Sequence, residues 1–512
     1  MSTLQNKIMS KKVLLINPRF TEEVTIFNIP ISILYLGSWL VNNGYEVCLL
    51  DALHFRDMSL LFQRIQAELP DTLCVGFSVM SAQIPSALQI SKFVRQCDSS
   101  IPIIWGGVHP TLYPEQTAKS EFVDFVVKGE GEFTLLDLVE GIKQGNLQPA
   151  HIRGLAFQDG SNSVTLNPDR EPLDMNELPP IEWKLIESLK PDSNLKELSE
   201  LTLYGLPLLT SRGCPHRCTF CINSILKTKY RQRRTDLVLD DIKSLIALGA
   251  ERIQFTDEDF FASQKRIREL IDGIEEKGLS FKWAASVRPD YFRPDYLGSE
   301  EFLSRVKRSG CYLVGTGAES GSPRILDMIK KDITVEDTLN MTRCLSQAGI
   351  KATFSFMIGL PGEEESDYKQ TLKLIEEIIK IDYSFFILGP QIYRPYPGSQ
   401  LYLECLRQGL KEPGTIDEWA SSPYIHSEYS RRSYYDKSLY PWVKYPGDLT
   451  NLVFYATLSG VRPGWKPVTK LMRLIGGIRC RRYYFKYPIA KKIYGLLRGT
   501  RIENFLRQRG VI

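Results

Sequence analysis

The feature that most restricts the fold of this chain is a regular alternation of short apolar segments with segments of helical periodicity. Through the first 150 residues, apolar segments of four to six residues alternate with amphipathic segments of eight to ten. This alternation predicts an α/β fold in which helices wrap a parallel sheet. Strands are predicted at 13–16, 46–50, 73–78, 101–105 and 122–127, and helices at 34–42, 60–67, 87–96 and 134–141.

A second alternation begins near residue 200 and contains about six strand and helix units, which predicts a partial (β/α)6 barrel rather than a closed barrel of eight units. The stretch between the two alternations is rich in Pro, Asp and Asn (LNPDREPLDMNELPP), a composition typical of a surface linker. We therefore expect a first domain over 1–150, a linker over 151–199, a barrel over 200–425 and an extension over 426–512.

The composition, 43% hydrophobic and 24% charged, is that of an ordinary globular protein. The start of the chain has no apolar segment long enough for a secretion signal, and no uncharged apolar segment reaches the length of about 18 residues that spans a bilayer. These features predict a cytoplasmic protein, in which disulfides are improbable. Seven of the ten cysteines are scattered, and we expect each to be a small buried hydrophobe.

The remaining three cysteines, Cys214, Cys218 and Cys221, lie close together in S-R-G-C-P-H-R-C-T-F-C-I-N, directly after an apolar strand. A cluster of four irons normally takes four thiolates, so three thiolates leave one iron open to another ligand. The alternative is a structural zinc site, which needs four ligands in paired spacing. No second cysteine pair follows, and the nearby His216 lies inside the loop, so the spacing favours an iron-sulfur cluster.

This C-x3-C-x2-C loop after a strand resembles the signature of the radical S-adenosylmethionine superfamily. The resemblance implies a 4Fe-4S cluster whose open iron binds the amino and carboxylate groups of S-adenosylmethionine. One electron from the cluster then cleaves this cofactor to a 5′-deoxyadenosyl radical, which abstracts hydrogen from a substrate. It also implies an electron donor such as flavodoxin or ferredoxin.

Four later segments resemble the strand ends of that superfamily: F-T-D-E-D-F-F at 255–261, G-T-G-A-E-S-G-S at 315–322, F-S-F-M-I-G-L-P-G-E at 354–363 and R-P-Y-P-G-S at 394–399. A solvated helix cap remains an alternative for the acidic pair in the first segment. The resemblance implies that the S-adenosylmethionine site includes Phe220, Asp257, Glu258, Glu319 and Gly359, of which Phe220 would also shield the cluster.

The first domain lacks the glycine-rich loop of a nicotinamide site, since Asn17-Pro18-Arg19 follows its first strand. Its segments L-Y-L-G-S-W-L-V-N-N-G-Y-E-V, G-F-S-V-M-S, W-G-G-V-H-P-T and V-V-K-G-E-G-E resemble the Rossmann-like cobalamin-binding domain found fused to radical S-adenosylmethionine domains. The polar residues and glycines in these segments are also common in loops that bind no ligand. The resemblance implies a corrin pocket lined by Asn17, Ser78, Ser81, Gly106, Gly107, His109, Gly129, Glu130 and Gly131.

Many corrinoid domains carry D-x-H-x-x-G, whose histidine binds cobalt. Here the second strand ends in D-A-L-H-F-R, so His54 comes one position late and the glycine is absent. The resemblance therefore implies a cobalamin without a histidine ligand, and we expect His54 to be a surface residue.

The last 52 residues carry 14 lysines and arginines and one acid, Glu503. This composition suits an anionic membrane surface or nucleic acid. A simpler interpretation is a helical appendage packed on the barrel with its basic face in water. No nucleic-acid motif is present, so we expect no nucleic-acid partner, while peripheral membrane contact stays open.

The resemblance implies a cobalamin-dependent radical S-adenosylmethionine enzyme that methylates an unactivated carbon of a small or lipid-like molecule. A cyclase or rearrangement enzyme would share every motif. A tRNA methylthiotransferase needs three further cluster cysteines, whereas Cys48, Cys74 and Cys97 fall on two predicted strands and a helix. A non-enzymatic corrinoid or iron sensor is the alternative from another class.

Overall fold

In the computed structural model the described residues are 12–20, 29–55, 57–160, 163–189, 202, 204–422, 441–442, 452, 456 and 466–482. The chain divides into two compact units. The first unit comprises residues up to 207 together with 412–431, and the second comprises residues 208–411 and those from 432 onward. Each unit is built on a sheet of its own.

Within its described part, the first unit has a seven-stranded sheet in the order β2-β1-β3-β4-β5-β6-β7. The strands are β1 Lys12–Asn17, β2 Glu46–Asp51, β3 Thr72–Ser78, β4 Ile103–Gly106, β5 Phe125–Val127, β6 Leu155–Gln158 and β7 Val164–Leu166. The first five run parallel, and β6 and β7 add an antiparallel hairpin at the edge. The order reverses between β1 and β3, and such a reversal opens a crevice at the carboxyl ends of the strands.

Helices cover this sheet, which is why its central strands are continuous apolar runs. Leu14, Val75 and Trp105 are almost completely buried in this core. The helices are α1 Ile31–Asn42, α2 Met58–Glu68, α3 Ile84–Cys97, α4 Val108–Leu112, α5 Pro114–Ala118, α6 Glu132–Gln144 and α7 Ile186–Leu189. The predicted doubly wound α/β architecture is confirmed, with element ends shifted by a few residues.

The predicted linker at 151–199 is wrong in part, because β6 and β7 belong to the sheet. Asn167 fixes the hairpin by donating from Nδ2 to the carbonyls of Pro149 and Ile152, both at 2.7 Å. The predicted end of the barrel at 425 also differs from the structure. Helix α16, Ile416–Ser421, packs on α3 of the first unit, where Trp419 is fully buried.

The second unit has a six-stranded sheet in the order β8-β11-β12-β13-β14-β15, and neighbouring strands from β11 to β15 are parallel. The main strands are β8 Leu206–Leu208, β11 Arg252–Phe255, β12 Lys282–Ser286, β13 Cys311–Glu319, β14 Lys351–Ile358 and β15 Phe386–Ile392. A short antiparallel pair, β9 Ser211–Arg212 and β10 Arg231–Gln232, flanks the cysteine loop. The chain-order succession of strands agrees with the predicted partial barrel.

The helices of this unit alternate with its strands along the chain. They are α8 Asn223–Leu226, α9 Thr235–Ala247, α10 Gln264–Glu276, α11 Glu300–Arg308, α12 Pro323–Met328, α13 Val335–Ala348, α14 Glu365–Ile381, α15 Gln400–Arg407 and α17 Lys466–Arg481. Helix α17 packs on α14, as predicted for an appendage, and residues 483–512 of the basic tail lie outside the described residues. Among the described helices, none is both long and apolar enough to cross a bilayer.

Four of the seven scattered cysteines, Cys48, Cys74, Cys311 and Cys405, are buried as predicted. Cys344 and Cys480 are partly buried. The prediction is wrong for Cys97, which is exposed because it is the last residue of α3.

Candidate functional site

The cysteine loop leaves β9 through Gly213, whose φ of +80° lies in the left-handed region. A Cβ atom at this position would lie 2.5 Å from the carbonyl oxygen of Lys229, so the turn requires glycine. Backbone hydrogen bonds of 2.9 Å then join Thr219 to Ile329 and to Leu401. The loop is therefore fixed by two segments far from it in sequence.

The three thiols of this loop lie in one protected region, with Cys218 buried and Cys214 and Cys221 partly buried. Burial, the largest cause, raises the pKa of Cys214 to about 11 and also raises the pKa of Cys221. A negative charge on Cys218 would raise both pKa values further, as expected for neighbouring thiols.

His216 is held beside the loop by two side chains and is poorly placed as a fourth zinc ligand. Its Nε2 lies 3.0 Å from Oδ2 of Asp259 and 2.9 Å from the hydroxyl of Tyr291. The Tyr291 hydroxyl also donates to Oδ2 of Asp259 at 2.6 Å. The ligand atoms of Cys214, His216 and Asp259 do lie within 4.8 Å of one another, but the last two share this hydrogen-bond network.

Glu319 and Lys331 form a buried ion pair near the cysteines. Nζ of Lys331 donates to Oε1 of Glu319 at 2.9 Å, and each side chain is 9% exposed. The same ammonium lies 5.8 Å from the ring centre of Phe220, which stands between Cys218 and Cys221 in the sequence. Its positive charge acts to lower the pKa of Cys221. The sequence identified Phe220 and Glu319 but missed Lys331.

Backbone strain is concentrated around this ion pair. Glu319, Lys330 and Asp332 all have left-handed φ values, of +60°, +49° and +54°. Such conformations are costly for residues other than glycine and recur at functional sites. Arg217 of the cysteine loop binds Asp332 through both carboxylate oxygens, at 3.0 and 3.2 Å, which ties the strained segment to the loop.

Asp257 is buried and is already saturated by protein donors. It accepts from the backbone N and hydroxyl of Thr210, at 2.6 and 2.5 Å, from the Ser211 hydroxyl at 2.7 Å and from Arg266 at 3.3 Å. It therefore joins the ends of β8, β9 and β11. Both of its oxygens accept hydrogen bonds inside the protein, and a contact between Asp257 and S-adenosylmethionine stays a prediction.

Glu258 is open to solvent at the same strand end. It accepts from Nδ2 of Asn223 at 2.7 Å, and the surrounding protein raises its pKa mainly through desolvation. An accessible carboxylate can receive a polar ligand. The alternative of a helix cap is not supported, since Ser263 caps α10. A contact between Glu258 and S-adenosylmethionine stays a prediction.

Gly359 directly follows β14 and has a φ of +78°, which explains the glycine at this position. Its backbone N donates to Oε2 of Glu363 at 2.6 Å, and its carbonyl accepts from Nε1 of Trp442 at 2.8 Å. Burial raises the pKa of Glu363 to about 8. The sequence missed Glu363 and Trp442, and a contact between the backbone of Gly359 and a cofactor stays a prediction.

At the carboxyl edge of the first sheet, Asn17 ends β1 in a polar network. Its Nδ2 donates to Oδ1 of Asp51 at 3.0 Å, and its Oδ1 accepts from Nε2 of Gln83 at 3.1 Å. Ser78 and Gly106 end the neighbouring strands β3 and β4. The structure thus brings these three predicted residues to one edge.

His109 and Ser81 lie beneath this edge rather than at its surface. His109 is fully buried, with Nδ1 3.0 Å from the Ser81 hydroxyl and its ring 5.1 Å from the rings of Tyr113 and Trp419. Desolvation lowers the pKa of His109 to about 3. Trp419 covers the ring of His109, and a contact between His109 and a corrin stays a prediction.

Two of the predicted glycines, Gly107 and Gly129, expose backbone in left-handed conformations, with φ values of +95° and +73°. A Cβ at Gly107 would lie 2.7 Å from the backbone N of Val79, whereas one at Gly129 would meet no atom within 4 Å. Next to them, Met80 and Val108 are 49% and 39% exposed. Bare backbone with exposed apolar side chains is a surface that suits a large, partly apolar ligand.

The neighbouring Glu130 and Gly131 are tied to the protein. Glu130 accepts from the backbone N of Leu173 at 3.0 Å, and a Cβ at Gly131 would lie 3.2 Å from a methyl group of Leu36. These contacts hold Glu130 and Gly131 in place at the carboxyl edge of the first sheet. A contact between either residue and a corrin stays a prediction.

Comparison with protein families assigns both units. The radical SAM superfamily model matches residues 208–375, and the B12 binding domain model matches residues 22–139. The chain is a radical S-adenosylmethionine protein with a B12-binding domain. Its cofactors are accordingly a 4Fe-4S cluster, S-adenosylmethionine and cobalamin.

Relatives of this radical S-adenosylmethionine protein agree with the assignment. An uncharacterized methyltransferase of Pyrococcus horikoshii is 29% identical over 74% of this chain and 79% of its own length. An anaerobic magnesium-protoporphyrin IX monomethyl ester cyclase of Rubrivivax gelatinosus is 26% identical over 73% of this chain and 66% of its own length. The solved structure of the cobalamin-dependent S-adenosylmethionine radical enzyme OxsB with aqua-cobalamin bound matches 99% of this chain and 77% of OxsB, with a TM-score of 0.69 and 19% identity.

The residues present fit these cofactors. Burial raises the pKa values of Cys214 and Cys221, so these thiols need a cationic group beside them to be held as thiolates, which an iron cluster supplies. At the carboxyl edge of the first sheet, the bare backbone of Gly129 and the exposed Met80 and Val108 leave room for a macrocycle. The sequence missed Met80 and Val108, because an apolar loop residue carries no signal of its exposure.

His54 is not the surface residue that the sequence predicted, since its side chain is only 12% exposed. Its Nδ1 lies 3.3 Å from the carbonyl of Leu189, and its Nε2 lies 3.6 Å from Oδ2 of Asp51. Helix α7, which falls in the predicted linker, supplies this cover.

Proposed function

We propose that this radical S-adenosylmethionine protein is a methyltransferase that adds a methyl group to an unactivated carbon of a small or lipid-like substrate. The observation that carries the proposal is the presence, in one chain, of a three-thiol cluster loop and a B12-binding domain. When bound, the cofactors supply an electron, a hydrogen-abstracting group and a methyl group. Similarity to an uncharacterized methyltransferase supports methyl transfer over other outcomes.

The side chains of this protein act as holders and screens around that chemistry. Cys214, Cys218 and Cys221 would hold the cluster, and the backbone hydrogen bonds of Thr219 fix their loop. The ammonium of Lys331, near Cys221, favours negative charge on the cluster side of the site. We expect an electron donor of the flavodoxin or ferredoxin type and a cytoplasmic location.

A cobalamin-using cyclase or rearrangement enzyme is the second candidate, favoured by the similarity to the Rubrivivax cyclase. A tRNA methylthiotransferase is less well supported. Cys48 and Cys74 lie buried on β2 and β3, which β1 separates, while Cys97 is exposed at the end of α3. These three cysteines therefore do not share one loop cluster.

Methyl-labelled S-adenosylmethionine distinguishes these functions without knowledge of the substrate. The protein is reconstituted anaerobically with iron, sulfide and cobalamin, and is then given a reductant. We expect the label on cobalamin together with S-adenosylhomocysteine, and 5′-deoxyadenosine as a separate product. The matched controls are Cys221→Ala, which should form no 5′-deoxyadenosine, and Cys344→Ala, which removes a cysteine outside the loop.

Two outcomes would contradict the proposal. Formation of 5′-deoxyadenosine while cobalamin never acquires the label would favour the cyclase or rearrangement enzyme. An intact cluster that forms no 5′-deoxyadenosine would favour the corrinoid or iron sensor.

A further inference from the structure

A groove of about 770 Å³ runs between α14 and α17 in the second unit. Its floor is apolar and consists of the buried Leu372 and Ile375 with the half-buried Ile379. Its rim is cationic and consists of Lys369, Lys373, Lys380, Arg481 and Arg482. The groove therefore combines an apolar base with positive charge at its mouth.

The acid that lines this groove, Glu376, does not cancel the positive charge. It lies 3.1 Å from Nζ of Lys380 and 3.6 Å from Nε of Arg481. Lys373 and Arg482 add further positive charge to the rim. An anionic ligand therefore finds net positive charge at this face.

Helix α17 extends this face with exposed apolar side chains. Leu474 and Ile478 are 54% and 41% exposed. Leu474 precedes Ile478 by four residues and Ile478 precedes Arg481 by three, so all three lie on one face of the helix. Single exposed apolar residues are common on protein surfaces. Here two large ones adjoin a cationic groove, which is the arrangement of a helix that lies in a membrane interface.

The charge of the surrounding chain indicates the kind of partner. Residues 461–512 contain 14 lysines and arginines against one acid, whereas the rest of the chain has an excess of acids. Positive charge alone would also attract nucleic acid, but nucleic acid offers no apolar phase for Leu474 and Ile478. An anionic bilayer offers both partners at one surface.

We propose that the face formed by α14 and α17 binds the surface of an anionic lipid bilayer. Headgroup phosphates would lie against Lys373 and Arg482, and Leu474 and Ile478 would enter the boundary between headgroups and acyl chains. The proposal is independent of the proposed methyl transfer, since it involves none of the cofactor residues.

Flotation of the full-length protein with vesicles tests the proposal. We expect binding to vesicles of phosphatidylcholine with phosphatidylglycerol, little binding to phosphatidylcholine alone, and weaker binding as salt is raised. The double substitution Leu474→Ser with Ile478→Ser should lower the partition coefficient at least about tenfold. Leu248→Ser is the matched control, because Leu248 is 53% exposed at the C-terminal end of helix α9, and it should leave binding unchanged.

Both variants change exposed side chains, and unchanged circular dichroism and melting would show that they fold. The proposal is overturned if the anionic vesicles are not bound, or if the double variant binds them as well as Leu248→Ser does. Binding of a nucleic acid in preference to anionic vesicles would also overturn it.

Discussion

The cysteine loop and the carboxyl edge of the first sheet, the two proposed cofactor sites, are built in different ways. The loop works through side-chain chemistry, with three thiols and the Glu319–Lys331 ion pair nearby. The sheet edge works mainly through backbone and shape, with Gly107 and Gly129 in left-handed conformations beside exposed apolar side chains. Ligand binding at the cysteine loop should depend on the chemical identity of its side chains. Ligand binding at the sheet edge should depend on the conformation of its backbone. Substitutions should therefore affect the two regions differently.

The largest expected effect tests whether the regions are independent. Cys221→Ala removes one thiolate, and we expect complete loss of the iron-sulfur absorption and of S-adenosylmethionine cleavage. The bound corrinoid should remain, because Cys221 lies in the second unit. Ultraviolet-visible spectra and iron content of the anaerobically purified variant measure both cofactors. Loss of the corrinoid as well would show that the two cofactor sites are not independent.

The next effect concerns the charges of the loop region. Lys331→Met leaves the carboxylate of Glu319 buried without its partner, which should lower the free energy of unfolding by about 3–5 kcal/mol. Urea unfolding provides the measurement. Arg217→Ala is the control, because Arg217 and Asp332 are 72% and 46% exposed, and its loss should change stability little. Equal effects of the two substitutions would contradict the buried ion pair.

The corresponding test at the sheet edge uses two glycines. Gly107→Ala combines a left-handed φ with a Cβ 2.7 Å from the backbone N of Val79, and should cost about 3 kcal/mol. Gly129→Ala has the φ penalty without the clash, and should cost about 1 kcal/mol. Urea unfolding and the cobalamin retained after gel filtration compare them. A Gly129 variant as unstable as the Gly107 variant would refute the role of Val79.

The last expected effect is a pH dependence of the first unit. The unfolded chain takes up a proton on a histidine near pH 6.5, whereas burial keeps His109 neutral in the folded protein down to about pH 3. The free energy of unfolding should therefore fall as the pH drops through this window, by about 2 kcal/mol at pH 5. His109→Asn keeps a partner for Ser81 and should flatten the curve of urea-measured stability against pH. Parallel curves for the two proteins would speak against this assignment.

The sequence predicts those parts of the molecule whose signals are local. Buried parallel strands such as β3 appear as apolar runs, and three thiolates within eight residues specify a cluster loop. The hairpin of β6 and β7 was missed because its strands are four and three residues long and lie among turn residues.

Long-range contacts explain the other errors. Lys331 meets Glu319 only because the backbone on either side of it is left-handed, which no local pattern shows. Similarly, His109 is buried by Trp419, a residue much later in the chain. Sequence patterns identify the reactive groups, whereas their final exposure depends on such distant partners.

The return of residues 412–422 to the first unit has a consequence for the order in which the protein is made. A ribosome that has completed residue 207 has not yet produced Trp419, which fills the core beside His109 and Tyr113. Because domains generally fold as they emerge from the ribosome, the core of the first unit becomes complete only after the second sheet has been synthesised. A fragment that ends at residue 207 would lack this last piece, so the B12-binding unit should be expressed with residues 412–422 joined back to it.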